Sequence, residues 1–116
     1  MLYEYRRYEI APGMTGALHQ RFRDHTIRLM RRHGFRIVGV WTPIVGELAR
    51  VHYLLSWTDM EERERCFAAF EADEEWQAAF AATPPLTTAR SSELWAAADY
   101  APTLQISWPD GEVESG

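Results

Sequence analysis

FRIVGVWTPIVGELARVHYLLSW, residues 35–57, contains two runs rich in β-branched and aromatic residues, separated by a connection that holds a proline and a glycine. The runs 35–42 and 51–57 have the composition of two strands joined in a hairpin-like pair. Both runs carry apolar residues on both alternating faces; Leu54, for example, lies on the face opposite Tyr53. A sheet with one face in water alternates more cleanly, so these strands predict a sheet that is covered on both faces.

The segments on either side supply the remaining predicted elements, which follow from apolar periodicity, capping residues and turn residues. They are a strand at 2–10, a helix with Thr15 as N-cap that ends at Gly34, a helix from Asp59 to about Ala72, a further helical piece from Asp73 to Pro84, and a strand at 86–96. The resulting βαββαβ order is that of a ferredoxin-like α+β fold, with an antiparallel sheet and both helices on one face.

Two helices cover only one face of such a sheet, so the apolar residues of the other face need a second cover. We predict a homodimer that packs sheet against sheet, a dimeric α+β barrel. The alternative is a monomer whose own C-terminal tail covers the face. At 116 residues the chain has room for one core, and we assign residues 1–100 to a single domain and 101–116 to a tail.

Composition and charge exclude several classes of protein. Residues 1–50 hold nine arginines and four acidic residues, whereas residues 51–116 hold three arginines and thirteen acidic residues, so the halves complement each other and predict no nucleic-acid binding. No apolar run approaches the roughly 18 residues of a membrane span. The single cysteine, Cys66, and a start unlike a secretory signal predict a cytoplasmic protein. The absence of lysine fits a GC-rich bacterial genome.

Four segments in order resemble the NIPSNAP family of dimeric α+β barrel proteins. They are YEYRRYEIAPG at 3–13, HGFRIVGVW at 33–41, SWTDMEERE at 56–64 and DEEW at 73–76. The resemblance implies a ferredoxin-like protomer, a sheet-mediated dimer and a pocket between sheet and helices. The superfamily includes cofactor-independent monooxygenases, lactone isomerases, polyketide cyclases and haem-handling enzymes, so it implies a pocket rather than one reaction. The sequence departs from the family pattern at Tyr5 and in the stretch 84–90.

His25 is the leading catalytic candidate. On a helical wheel it lies within about 20° of Leu18, which predicts that it points at the sheet. A neutral imidazole facing a pocket there transfers protons near neutral pH, while a core histidine satisfied by a neighbouring polar group is the alternative. His52 is the second choice; if Tyr53 faces the helices, His52 faces the dimer interior.

Arg6 is the other catalytic candidate, because it matches the family's arginine and its planar fork suits a carboxylate or enolate oxygen. Its alternative role is to pair with Glu4 or Glu93. Five further residues are predicted to bind substrate: Tyr3, Phe22, Trp41, Tyr53 and Arg63. For Trp41 a core role is the alternative, and for Arg63 a structural contact with an acidic residue. No histidine pair or Cys/His cluster has metal-ligand spacing, so no metal and no cofactor are expected.

Together these features predict a cytoplasmic homodimer that binds a small apolar, aromatic or polyketide-like molecule. The expected activity is cofactor-independent proton transfer, a cyclisation or isomerisation of bacterial specialised metabolism, with His25 as acid or base and Arg6 as oxygen holder. A non-catalytic carrier and a cofactor-independent monooxygenase stay open as alternatives.

Overall fold

The strands form one antiparallel sheet, as the sequence predicts. The structure is a computed structural model that describes residues 1–104. The strands are β1 (Leu2–Ile10), β2 (Arg36–Trp41), β3 (Arg50–Trp57) and β4 (Thr87–Ala96), in the spatial order β2-β3-β1-β4 with antiparallel neighbours throughout. The predicted ferredoxin-like α+β fold is therefore confirmed. The division into a domain and a tail stays a prediction, and residues 105–116 of that tail lie outside the described residues.

The helices pack on one face of this sheet. They are α1 (Thr15–Arg21), a π-helical segment (Phe22–Thr26), α2 (Ile27–Arg32), α3 (Met60–Glu71) and α4 (Glu74–Ala81). The first three form one continuous helical rod. Asp59 caps α3 by accepting from the Glu62 amide at 2.8 Å, as predicted. The predicted cap at Thr15 is wrong, because Met14 is the N-cap and no side chain bonds there.

The two faces of the sheet have different surroundings. On the helix side, Val51, Tyr53, Leu55 and Trp57 of β3 are each at most 1% exposed and belong to the core. The intervening residues point to the opposite face, which we call the free face. Its aromatic and apolar side chains are Tyr3, Tyr5, Trp41, His52, Leu54 and Trp95.

A β-bulge in β2 reverses the face of its last residues. Ile37 pairs with Leu55, but the next pair along β2 is Gly39 with Leu54, so Val38 is the extra residue. Strict alternation from Ile37 places Trp41 on the helix side. Instead Trp41 pairs with His52 on the free face and is 52% exposed.

The π-helical segment likewise changes which residues of the helical rod point toward the sheet. Its wider turns place Thr26 at the inward position, 2% exposed, with its hydroxyl donating to the Arg21 carbonyl at 3.4 Å. The side chain of His25 is 38% exposed and its Nδ1 lies 3.4 Å from a carboxylate oxygen of Glu75 in α4. The predicted inward orientation of His25 is wrong, because a regular α-helical wheel does not hold through this segment.

Charged groups hold α4 against the helical rod. His33 Nε2 lies 2.6 Å from a carboxylate oxygen of Asp73, which also caps α4. Arg28 forms an ion pair with Glu75. His25 belongs to this group of contacts between helices.

Glu4 is a buried carboxylate that joins β1, β3 and α3. It is fully buried and accepts from Trp57 Nε1 at 2.9 Å, from Arg63 at 2.9 and 3.0 Å and from Arg6 Nη1 at 2.9 Å. Burial by itself raises the pKa of Glu4, but the hydrogen bonds from Arg63, Trp57 and Arg6 bring it below its ordinary value. The carboxylate is therefore ionised and satisfied inside the protein.

Removing this charge should destabilise the fold. We expect Glu4→Gln to lower the free energy of unfolding by about 3–5 kcal/mol, because two guanidinium groups lose their buried countercharge. Wild-type stability from Glu4 is present above the ordinary pKa of 4.5 and is lost as the pH falls through the lower folded pKa. Urea unfolding at several pH values measures both effects. Glu61→Gln, the same change at an exposed position of α3, is the control, and an equal loss in both variants would contradict the role of Glu4.

Candidate ligand-binding cleft

A cleft of about 1080 Å³ lies between the helix side of the sheet and the helices. Its walls come from β1, the helical rod, α3, α4 and the start of β4. Its aromatic lining consists of Tyr8, Phe22, Phe67, Phe70, Trp76 and Phe80, and its charged lining of Arg6, Arg21, Glu71 and Arg90. The volume and the aromatic lining suit a small, flat organic molecule.

A hydrogen-bonded chain of three side chains reaches the wall of this cleft. Arg6 Nε donates to the Tyr53 hydroxyl at 2.7 Å, and the hydroxyls of Tyr53 and Tyr8 lie 2.7 Å apart. A guanidinium only donates, so the Tyr53 oxygen is an acceptor. Tyr53 is 1% exposed, and among the described residues Tyr8 is the acceptor available for its proton. Tyr8 therefore accepts from Tyr53 and directs its own proton into the cleft.

Burial and neighbouring groups shift the pKa values of two members of this chain, Tyr53 and Arg6. Burial, and the neighbouring Tyr8, raise the pKa of Tyr53 well above its ordinary 10.0, and Arg6 only partly opposes this. Burial lowers the pKa of Arg6, but the oxygens of Tyr53, Tyr8 and Glu4 outweigh that effect and raise it. The chain therefore begins at a cation, which polarises the Tyr53 hydroxyl and, through it, the hydroxyl of Tyr8.

The structure brings only some of the predicted site residues to the cleft. Arg6 and Phe22 line it, and Tyr53 supports its wall from within the core. Arg63 donates to Glu4, as its structural alternative requires, and is not a lining residue. His25 contacts Glu75 of α4 and is not a lining residue either.

Tyr3, Trp41 and His52 lie on the free face, so Tyr3 and Trp41 cannot be walls of this cleft as predicted. His52 lies on the face opposite Tyr53, and its predicted place in a dimer interior stays a prediction. Its ring stacks on Tyr5 with centroids 5.8 Å apart, and its Nδ1 lies 2.7 Å from the Tyr5 hydroxyl. Arg6 and His52 therefore face opposite sides of the sheet.

Sequence reasoning missed several cleft residues, although signals existed for some. Tyr8 follows Arg6 by two positions on one strand, which places both on the same face. Trp76 and Phe80 are four positions apart on one helix and share a side. Arg21 and Arg90 belong to different elements, and nothing in their spacing indicates that they line one cleft.

Residues 1–104 hold neither a helix suited to crossing a membrane nor a cluster of metal-binding side chains. None of the helices there combines the length and apolar character that crossing a bilayer requires. Within the same residues, no three side chains of His, Cys, Asp or Glu converge on a point where they could bind a metal ion.

The fold and the cleft define a class of small α+β proteins with a pocket between an antiparallel sheet and its helices. The family model for NIPSNAP matches residues 3–102, so the chain belongs to the NIPSNAP family, as the resemblance predicts. A NIPSNAP-like domain protein from Burkholderia xenovorans is 25% identical, with a TM-score of 0.80 over 94% of this chain and 95% of its own. No curated protein is significantly similar to the sequence.

More distant structures share the fold. A NIPSNAP family protein of unknown function from Agrobacterium tumefaciens is 20% identical, with a TM-score of 0.81 over 90% of this chain and 94% of its own. A mutant of MhuD with two manganese protoporphyrin IX molecules bound per active site is 18% identical, with a TM-score of 0.64 over 89% of this chain and 100% of its own. At these identities the likeness concerns the fold alone.

The position of His25 has a measurable consequence. Because His25 lies outside the cleft, we expect His25→Gln to leave the dissociation constant of the uncharged fluorescent probe N-phenyl-1-naphthylamine unchanged within about twofold. Phe80→Ala removes a half-exposed aromatic ring from the cleft wall and should weaken binding of the probe by about fivefold. Fluorescence titration measures both. A larger change in the dissociation constant for His25→Gln than for Phe80→Ala would show that His25 contributes to the cleft.

Proposed function

We propose that the chain binds a small, flat, largely apolar molecule in the cleft and catalyses proton transfer on it without a cofactor. The reaction is an isomerisation or cyclisation of the kind that polyketide-like molecules undergo in bacterial specialised metabolism. The observation that supports this proposal is the Arg6–Tyr53–Tyr8 chain, which presents a polarised O–H to the cleft. The porphyrin held in the active site of MhuD is also a flat ring, which agrees with a flat ligand for this fold.

The proposed chemistry begins with a ligand carbonyl that accepts a hydrogen bond from Tyr8. A base removes a proton from the adjacent carbon, and the electron pair of that C–H bond moves to form an enolate. Tyr8 stabilises the negative oxygen because Arg6, through Tyr53, polarises its hydroxyl. Glu71 is the carboxylate among the described lining residues, and we assign it as the base. Return of the proton to another carbon completes the isomerisation.

Removal of one hydroxyl tests this mechanism. With benzoylacetone as the probe, wild-type protein in D2O should accelerate hydrogen–deuterium exchange at the carbon between the two carbonyls, followed by NMR. We expect Tyr8→Phe to reduce that acceleration by about 100-fold, since a positioned proton donor contributes that much. Probe binding should change little, because the ring remains in place. Tyr3→Phe, which removes a hydroxyl from the free face, is the matched control.

The same experiment separates the alternatives. Tight probe binding with no exchange above buffer would favour the carrier, and equal exchange in Tyr8→Phe and Tyr3→Phe would remove Tyr8 from the mechanism. Oxygen consumption with an electron-rich phenol, recorded with an oxygen electrode, would favour the monooxygenase.

We further propose that two copies pack through their free faces. Tyr5 stacks between His52 and Trp95, at centroid distances of 5.8 and 5.3 Å, so this face carries a band of aromatic side chains. Trp41 is 52% exposed there and Trp95 43%. An apolar face of this kind is costly to leave in water.

Sedimentation tests the dimer directly. We expect wild-type protein to sediment at twice the 13.4 kDa mass of one chain. Leu54→Arg adds a charge to the middle of the free face and should shift the equilibrium to the monomer, because an unpaired charge is costly at a buried interface. Gln20→Arg, an equal charge change on an exposed helix surface, should leave the dimer intact. A wild-type mass equal to one chain would refute the proposal.

The remaining proposals concern location and domain limits. We propose a cytoplasmic protein, because Cys66 is buried as a free thiol, which suits a reducing compartment. We also propose that residues 1–100 form one domain, since their strands and helices share one core.

A further inference from the structure

Arg21 lies in the cleft in an unusual electrostatic environment. Its guanidinium carbon is 5.4 Å from the ring centre of Trp76 and 5.2 Å from that of Phe80, so it stacks on the aromatic wall formed by α4. Nη1 donates to the Thr83 hydroxyl at 3.3 Å, while Nε is buried without a hydrogen-bond partner. A buried N–H group normally has an acceptor, so the Nε–H of Arg21 is available to donate a further hydrogen bond.

A second arginine adds to the same positive field. Arg90 lies on β4 opposite Tyr8, on the helix side of the sheet, and also lines the cleft. Among residues 1–104, neither Arg21 nor Arg90 has a carboxylate within ion-pair distance. The described lining of the cleft has three arginines and one carboxylate, that of Glu71. Glu71 forms no ion pair with Arg21 or Arg90.

The other lining arginine provides a contrast. Arg6 has its charge balanced by Glu4 at 2.9 Å and its Nε occupied by Tyr53. Arg21 is partly buried without a countercharge and is repelled by the exposed Arg90, and both effects are unfavourable: burial lowers the pKa of Arg21, Tyr8 opposes that shift, and Arg90 adds to it. An anion between them would remove both penalties.

We propose that Arg21 and Arg90 form an anion subsite, so that the ligand of this cleft carries a carboxylate, sulfonate or similar oxyanion on a flat aromatic body. The two guanidinium groups would bind the anion through charge-assisted hydrogen bonds, including the free Nε of Arg21. The aromatic body would lie against Trp76 and Phe80, which already flank Arg21. This inference rests on the proposed function of the cleft and narrows its substrate class.

A pair of matched probes tests the subsite. 8-Anilinonaphthalene-1-sulfonate and N-phenyl-1-naphthylamine share their aromatic body, but only the first has a sulfonate. We expect the sulfonate probe to bind about tenfold more tightly at 50 mM salt, the contribution of one charge-assisted pair, and the advantage to shrink at 500 mM salt because of screening.

Substitutions locate the effect. Arg21→Met keeps much of the stem that packs on Trp76 and removes the charge, while Arg90→Gln changes an exposed strand position that the core does not need. Each substitution should lower the affinity for the sulfonate probe by about tenfold and change the affinity for the uncharged probe by less than about twofold. Arg65→Gln, the same loss of charge at an exposed position of α3, is the control and should have no effect.

The outcomes are distinct. Equal affinities for both probes in the wild-type protein, or an equal response in Arg65→Gln and Arg90→Gln, would overturn the subsite while leaving the cleft as a binding site. Failure of both probes to bind would overturn the proposed function and the subsite with it. Circular dichroism melting verifies folding, and if Arg21→Met fails to fold, Arg90→Gln alone decides.

Discussion

The buried carboxylate of Glu4 is the interaction on which the cleft depends. It connects the first strand, the end of the third strand through Trp57 and the helix α3 through Arg63. It also holds one nitrogen of Arg6, which leaves Nε directed at Tyr53. An ionised group in a protein interior requires such partners, so the position of each partner is fixed along with it.

From this anchor the order of groups toward the cleft follows from donor and acceptor chemistry. Arg6 can only donate, so Tyr53 accepts from it and donates in turn to Tyr8, which lines the cleft. The aromatic wall of α4 lies on the other side of the same space, held to the helical rod by the ion pair of Arg28 with Glu75 and by His33 with Asp73. The cleft thus combines a hydrogen-bonded polar side with an aromatic wall.

The sequence was sufficient for the order of strands and helices because that order depends on local patterns. The residues 2–10 and 51–57 have strand composition, and Asp59 caps a helix in the way its spacing with Glu62 predicts. Individual side chains were harder to place. The bulge at Val38 and the π-helical segment before Ile27 each add about one residue to a periodic pattern.

Those two insertions explain the misplacement of His25 and Trp41. A shift of one residue replaced His25 by Thr26 at the inward position and moved Trp41 to the free face. The bulge is flanked by Gly39, and a glycine inside a strand often marks a bulge, whereas the π-helical segment Phe22–Thr26 contains neither glycine nor proline. Arg6 and Tyr53 lie on strands without these insertions, and Phe22 is the first residue of the π-helical segment; Arg6 and Phe22 line the cleft, and Tyr53 lies behind its wall.

The alternation of β1 gives this small protein two independent surfaces on one segment of nine residues. Glu4, Arg6 and Tyr8 belong to the cleft side, whereas Tyr3, Tyr5 and Arg7 belong to the free face. Because neighbouring positions point in opposite directions, selection can retune one surface without touching the chemistry of the other. A family built on such a strand can vary the residues of one surface while keeping those of the other.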